Sequence, residues 1–421
     1  MPNRSDFRTV SLALRVAVLL YVGYGCHALA VDSPEFRGPN RNGIFQEKNL
    51  MKSWPEAGPK MLWSVEGLGQ GYASVSIADG RLYTTGKQGD QGYAFAYDLK
   101  GKQLWSSAYG REHHGSGYPG TRTTPTVHGD KLFLVSSIGE VVALNTADGK
   151  VAWRVDMLER FGGGANRESL YPRFGIAESP LVVDNKVICT PGGKEAVMAA
   201  LDPKTGKTLW KTKSIGDISG YCTPRLYQEG GRRMIVTMTS GSMIAVDPAD
   251  GSLIWRQGYP ATYNIHAVSP VWQGPYIYVS DGYGQGGACF KMADNGKSVK
   301  QVWDEKTLDI HHGGTVLIND YIYGASNSKN LICLKLNDGG VASSIRRFGK
   351  GSLIHADGLL IGYTERGKVK LVDPNPNDMK VISEFELELG SGQHWAHPVV
   401  SDGVLYIRRG KAMAAFDIRA K

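Results

Sequence analysis

Seven short stretches of this 421-residue chain carry side chains able to bind a ligand or move a proton, and each stands just ahead of a run of apolar and β-branched residues. They are Arg122, Glu178, Tyr221, His266, the pair His311-His312, Lys350, and His394 with Trp395. Arginine can grip a carboxylate or phosphate through two parallel N–H bonds. Trp395 and Tyr221 offer flat faces for stacking on a ring or a sugar. Histidine changes charge near neutrality and is a common metal ligand. Three uses stay open for this set. The groups hydrogen-bond strand ends and water, as buried polar groups must; or they line a pocket for a ligand or partner; or they catalyse, with Trp395 as floor, Arg122 as cation and Glu178 as base. His266, His311, His312 and His394 would have to converge to hold a metal. Neighbours in an extended segment point opposite ways, so only one of His311 and His312 is expected to face inward. No H-E-x-x-H or C-x-x-C occurs, and no metal ligand is assigned. The glycine-rich run Asp281–Gly287 lacks the Lys-Ser/Thr of a phosphate loop and reads as a connection between strands. No nucleophile elbow is present, and the catalytic residues stay unknown.

Something must bring these scattered stretches together. Residues 179–210 read as four short strands: S-P-L-V-V, K-V-I-C-T, A-V-M-A-A-L-D and K-T-L-W, separated by D-N, P-G-G-K-E and P-K-T-G turns. One such sheet cannot cover both its faces, so copies are needed on either side. They are present: A-L-N-T-A-D-G-K-V-A-W ends at Trp153, A-L-D-P-K-T-G-K-T-L-W at Trp210 and A-V-D-P-A-D-G-S-L-I-W at Trp255. From Trp63 through Trp303 the terminal tryptophans recur at 42, 48, 57, 45 and 48 residues, within or near the roughly 40–50-residue blade periods of propellers. Seven complete blades are predicted, near 73–105, 124–153, 179–210, 223–255, 269–303, 314–347 and 352–385. Residues 61–65 match a last strand without its predecessors, and 399–417 match three strands without a fourth. Joining the two closes a ring and removes the free sheet edges. In such a ring the connections between blades gather on one face, which places the seven stretches around a channel mouth. The long loops 106–123, with Glu112-His113-His114, and 155–177, with Tyr171 and Arg173, fall on that face.

The A-x-D-x-x-T-G-K-x-x-W signature, met in full by Ala200, Asp202, Thr205, Gly206, Lys207 and Trp210, resembles the tryptophan-docking motif of the PQQ-like (pyrroloquinoline-quinone repeat) eight-bladed β-propellers. F-R-G-P-N-R-N-G at Phe36–Gly43, H-H-G-G at His311–Gly314 and W-A-H-P at Trp395–Pro398 also resemble phrases of secreted members. The resemblance spans about Phe36 to Asp417 and implies an all-β fold of four-stranded antiparallel blades. The family includes quinoprotein alcohol dehydrogenases, which use PQQ and calcium, and BamB-like assembly factors. The dehydrogenases' adjacent Cys-Cys pair is absent here, and their Glu-Asn-Asp calcium set cannot be placed residue by residue. PQQ and calcium therefore stay open as cofactors, and the family resemblance leaves function open between scaffold and enzyme.

Residues 1–30 read as a cleaved export signal: Arg4, Arg8 and Arg15, then apolar Val16–Val22, then Ala28-Leu29-Ala30. An uncleaved anchor is the alternative. Residues 31–60 read as an extended lead-in and 61–421 as the propeller. Periplasmic or secreted localisation follows. The formal charge of +8 is spread in pairs such as Arg232-Arg233, with no basic stripe of the kind nucleic-acid binding needs. Cys189, Cys222, Cys289 and Cys333 read as small buried hydrophobes. The expected function is a monomeric scaffold that binds a small molecule or a protein partner at the channel mouth, with peripheral membrane association open. The alternatives are a PQQ- and calcium-dependent dehydrogenase of alcohols or sugars, and a BamB-like outer-membrane assembly factor.

Overall fold

The computed structural model describes residues 32–112, 118–163 and 174–421. Eight antiparallel sheets form a closed ring. Seven are consecutive four-stranded units: 76–111, 126–156, 181–213, 225–258, 271–305, 316–345 and 351–386. The eighth pairs the strand Lys60–Val65 with Ala412–Asp417, with Trp63 opposite Ala415. The termini thus close the ring as the split blade predicts. First strands of neighbouring blades touch one another, which places them around the axis. Those inner strands are mostly buried, whereas the outermost strands are mostly exposed or half-buried. The core is a set of layers between blades. Tyr83 and Ala94 of the first blade pack on Leu132, Leu134 and Val142 of the second.

Trp63, Trp105, Trp153, Trp210 and Trp303 each lock their layer to the next blade, whereas the Trp255 N–H has no partner among the described residues. The indole N–H of Trp153 donates to the carbonyl of Pro203 at 2.9 Å, and Trp105 reaches Thr146 in the same way at 3.0 Å. The ring lies under the turn glycine of that next blade. A Cβ on Gly206, at φ 68°, would sit 2.8 Å from Trp153. Asp202 holds the turn by accepting from the Thr205 N–H and hydroxyl. Ala200 lies opposite its own blade's Trp210, so the turn glycine, rather than this alanine, makes room for the neighbouring ring.

The segment ahead of the ring does more than lead in. Ser33 bridges Ile77 of the first inner strand, and the Pro34 carbonyl accepts from the Val127 N–H of the second. The chain turns at 36–43 and descends as Ile44–Phe45, parallel to the inner strand Gly351–Ala356 of the seventh blade. It is a hairpin inserted in the channel. Its arginines are buried and bind the carbonyls where inner strands begin. Arg41 donates to Ser179 at 2.9 Å and to Glu35, and Arg37 donates to Thr315 at 2.6 Å. The Asn40 carbonyl in turn accepts from Arg225. Burial pulls the Arg37 and Arg225 pKa values down to about 10 and about 9. The four described cysteines are buried and unbridged.

Candidate functional site

The described parts of the connections from the last strand of one blade to the first of the next reach one end of the channel, together with the turns between second and third strands. There they enclose a cavity of about 430 Å³. Phe36, at the tip of the inserted hairpin, is part of its lining and packs edge-on against His397 at 5.0 Å. Since that hairpin fills the channel beneath, the cavity is a cup with a floor.

Of the sequence-predicted residues, Arg122, Tyr221, His311, His312 and Trp395 line the cup, and Lys350 joins them. Both adjacent histidines reach the wall, because 311–313 is a bend rather than extended backbone and the alternation of side chains does not hold there. Glu178, His266 and His394 sit behind the wall and tie down strand ends. Glu178 accepts from the Thr190 N–H at 2.8 Å, and burial raises its carboxyl to about 7. His266 pairs with Asp281 at 2.7 Å. His394 meets the Tyr363 hydroxyl at 2.6 Å, and burial lowers it to about 4. Glu112 is buried against Tyr109 and Ser137. His113, His114, Tyr171 and Arg173 lie outside the described residues.

A polar chain runs along one wall. The Lys350 ammonium donates to His311 Nδ1 at 2.8 Å and lies 3.2 Å from Glu365. Trp395 donates to the same Glu365 oxygen at 2.9 Å. With Nδ1 accepting, His311 carries its proton on Nε2, and among the described residues that nitrogen has no partner. His312 Nε2 makes no described hydrogen bond and lies 3.6 Å from Glu365. Burial, then the nearby Lys350 charge, depresses both imidazoles, His312 to about 3, so both are neutral at pH 7. On the other side Arg122 donates to the Gly120 and Tyr118 carbonyls. Its guanidinium lies 5.2 Å from the Tyr72 and Phe174 rings. No carboxylate among the described residues pairs with it.

Trp395 is the hub of the aromatic wall, with Tyr118 at 4.6 Å, Tyr72 at 5.0 Å and His312 at 5.2 Å. Tyr118, Tyr221 and Tyr283 hold left-handed backbone at φ 53°, 72° and 59°. Most other non-glycine residues in that region are Asn or Asp at turns. A bulky residue there costs on the order of 1–3 kcal/mol, and such strain clusters where side chains must be aimed. The sequence reading missed Tyr72, although it occupies the same slot ahead of the first blade. It missed Tyr283 and Glu365 because they come from turns within blades. It missed Phe36 because nothing in the repeat places the lead-in inside the channel.

Among the described residues, no three His, Cys, Asp or Glu side chains are grouped to hold a metal ion. No described helix is long and apolar enough to cross a membrane.

Comparison with known proteins follows the architecture. The family model for the outer membrane protein assembly factor BamB matches residues 52–160 and 90–344. A BamB from Shewanella oneidensis is 24% identical over 297 residues, 67% of this chain and 70% of that protein. A polyvinylalcohol dehydrogenase from a Pseudomonas species is 31% identical over 182 residues, 38% of this chain. That match spans only 27% of the dehydrogenase's length. The solved quinohemoprotein alcohol dehydrogenase from Comamonas testosteroni superposes with a TM-score of 0.66 at 12% identity, over 93% of this chain and 81% of that one, a likeness of fold alone. Matched over most of its length and built of eight such blades, the chain belongs to the PQQ-like β-propeller family.

Proposed function

We propose that this protein is an exported scaffold that binds a small ligand non-covalently in the cup. The observation that carries the reading is a floored cavity whose described wall joins aromatic faces, neutral imidazoles and a guanidinium, that of Arg122, which forms no ion pair with a described carboxylate. That is the mixture of apolar surface and few placed polar groups typical of ligand sites.

The alternative is a PQQ- and calcium-dependent dehydrogenase. Calcium takes about six to eight oxygen ligands. Glu365 is the single carboxylate in the described lining, and Lys350 stands 3.2 Å from it, where a positive ion would be repelled. The residues present do not fit a calcium-bound quinone, and no redox step is drawn through one. The match to an assembly factor over two thirds of the chain also favours a binding role.

The test is thermal unfolding in the presence of a panel of monosaccharides, sugar acids, aromatic carboxylates, and PQQ with calcium. A ligand at a hundred times its Kd stabilises by about 2.7 kcal/mol. At least one class should raise the Tm of the native protein and not of Trp395→Ala. A panel that leaves the Tm unmoved would sink the reading, and dye reduction with PQQ and an alcohol would replace it with the dehydrogenase.

A further inference from the structure

The cup does not end at its rim. Tyr72, Tyr118 and Gln393 also line a second depression of about 670 Å³, which runs outward over the eighth and first blades. Its wall differs from that of an ordinary apolar cleft. It holds the amides Gln70, Gln88 and Gln393, the lysines Lys87 and Lys411, backbone exposed at several glycines, and no Val, Leu, Ile, Met or Phe. Tyr118 is 45% exposed and stands between the two depressions with Trp395 behind it.

On this basis, and resting on the binding reading above, we propose that the cup and groove together hold an acidic oligosaccharide, a chain of uronate units with one end in the cup. A sugar ring has an apolar C–H face and a rim of hydroxyls. Trp395 and the two tyrosines, tilted 46° and 56° from it, present faces for successive rings. The hydroxyl rim needs partners that both donate and accept. The glutamine amides and Glu365 supply them. The charge chooses the acidic class. Lys350 is offset by Glu365 and Lys411 lies 4.0 Å from Glu66, but Arg122 forms no ion pair with a described carboxylate, and Lys87, which donates to the Gly89 carbonyl, adds the same sign beside the groove. A guanidinium suits a sugar carboxylate because it can donate two parallel bonds. A peptide would want aliphatic subsites for its side chains, and no Val, Leu, Ile, Met or Phe lines the groove.

The experiment is calorimetric titration of the full protein with galacturonate, tri- and hexagalacturonate, the carboxyl-reduced hexamer, and hexaglutamate. Affinity should rise roughly tenfold or more from monomer to hexamer. Arg122→Ala should weaken the hexamer about tenfold or more, the worth of a charge-assisted bond, while leaving the reduced hexamer unchanged. Trp395→Ala should weaken both, and melting curves confirm that each variant is folded. A hexamer no tighter than the monomer overturns the groove and leaves the cup standing. Hexaglutamate binding as tightly as hexagalacturonate overturns the glycan in favour of an acidic peptide. If no uronate binds although another ligand raises the Tm, the inference falls while the binding reading survives. If nothing binds, both fall.

Discussion

Two levels of the channel use the same residue types for opposite purposes. Beneath the cup, where the inner strands begin, Arg41 is spent on the protein itself: Glu35, Thr126 and the carbonyls of Ser179 and Pro180 accept its N–H groups. Arg225 likewise donates to Pro270 and Asn40 and stacks on Trp272 at 3.9 Å. A polar cavity of about 530 Å³ remains beside them, but its arginines are already satisfied. At the cup, Arg122 hydrogen-bonds only its own loop among the described residues, and its guanidinium lies over the Tyr72 and Phe174 rings at 5.2 Å. The same guanidinium is a structural rivet where strand-start carbonyls converge and a candidate ligand anchor where they do not. Burial sets the difference, since a buried donor must be paired within the fold.

That contrast can be broken experimentally. Arg41→Ala strips several buried carbonyls and Glu35 of their donor, so urea unfolding should show a loss of about 3–5 kcal/mol, in line with breaking a buried ion pair. An unchanged midpoint would mean that the hairpin does not hold the ring. Next in size is a pH effect from Glu178. Its carboxyl is raised from 4.5 to about 7, so the folded state binds the proton more tightly. Stability from this group is present below 4.5 and lost as pH rises through about 7, roughly 3 kcal/mol in all. Glu178→Gln should remove that downward slope from the stability–pH curve. An identical curve would place the charge elsewhere.

The imidazoles act in the other direction. His312, lowered from 6.5 to about 3, contributes stability that is present above 6.5 and lost as pH falls. Because its side chain is a quarter exposed, solvent trims the effect to roughly 2 kcal/mol. His312→Gln should flatten the acid limb of the same curve, and an unaltered limb would show the ring to be solvated. Smallest of all, Arg122→Ala should shift the urea midpoint by less than about 1 kcal/mol while removing ligand binding. A loss as large as that of Arg41→Ala would make the two levels alike and end the comparison.

The ring was legible because its signal is repeated. Ala200, Asp202, Gly206 and Trp210 recur in neighbouring blades, and each recurrence reports the same local geometry. The closing of residues 61–65 onto 412–417 followed from two incomplete copies that complement each other. The cup was legible in part. The slot ahead of each first strand named Arg122, Tyr221, His311, His312 and Trp395, which line it. It also named Glu178, His266 and His394, which turn away. Position along a strand end fixes height in the channel, while the direction of a side chain depends on what packs beside it.

What the chain's order of residues settles alone is the part governed by short-range rules. Turn residues, β-branched runs and a periodic tryptophan dictate small sheets, and small sheets must stack until they meet. What needed the folded molecule is the part made by contacts between residues far apart in the chain. Phe36 becomes a floor, and Arg37 and Arg41 become rivets, because a hairpin with no repeat of its own enters a channel that exists only once the last blade has closed on the first. No local pattern encodes that insertion, since the carbonyls that hold it come from several blades at once.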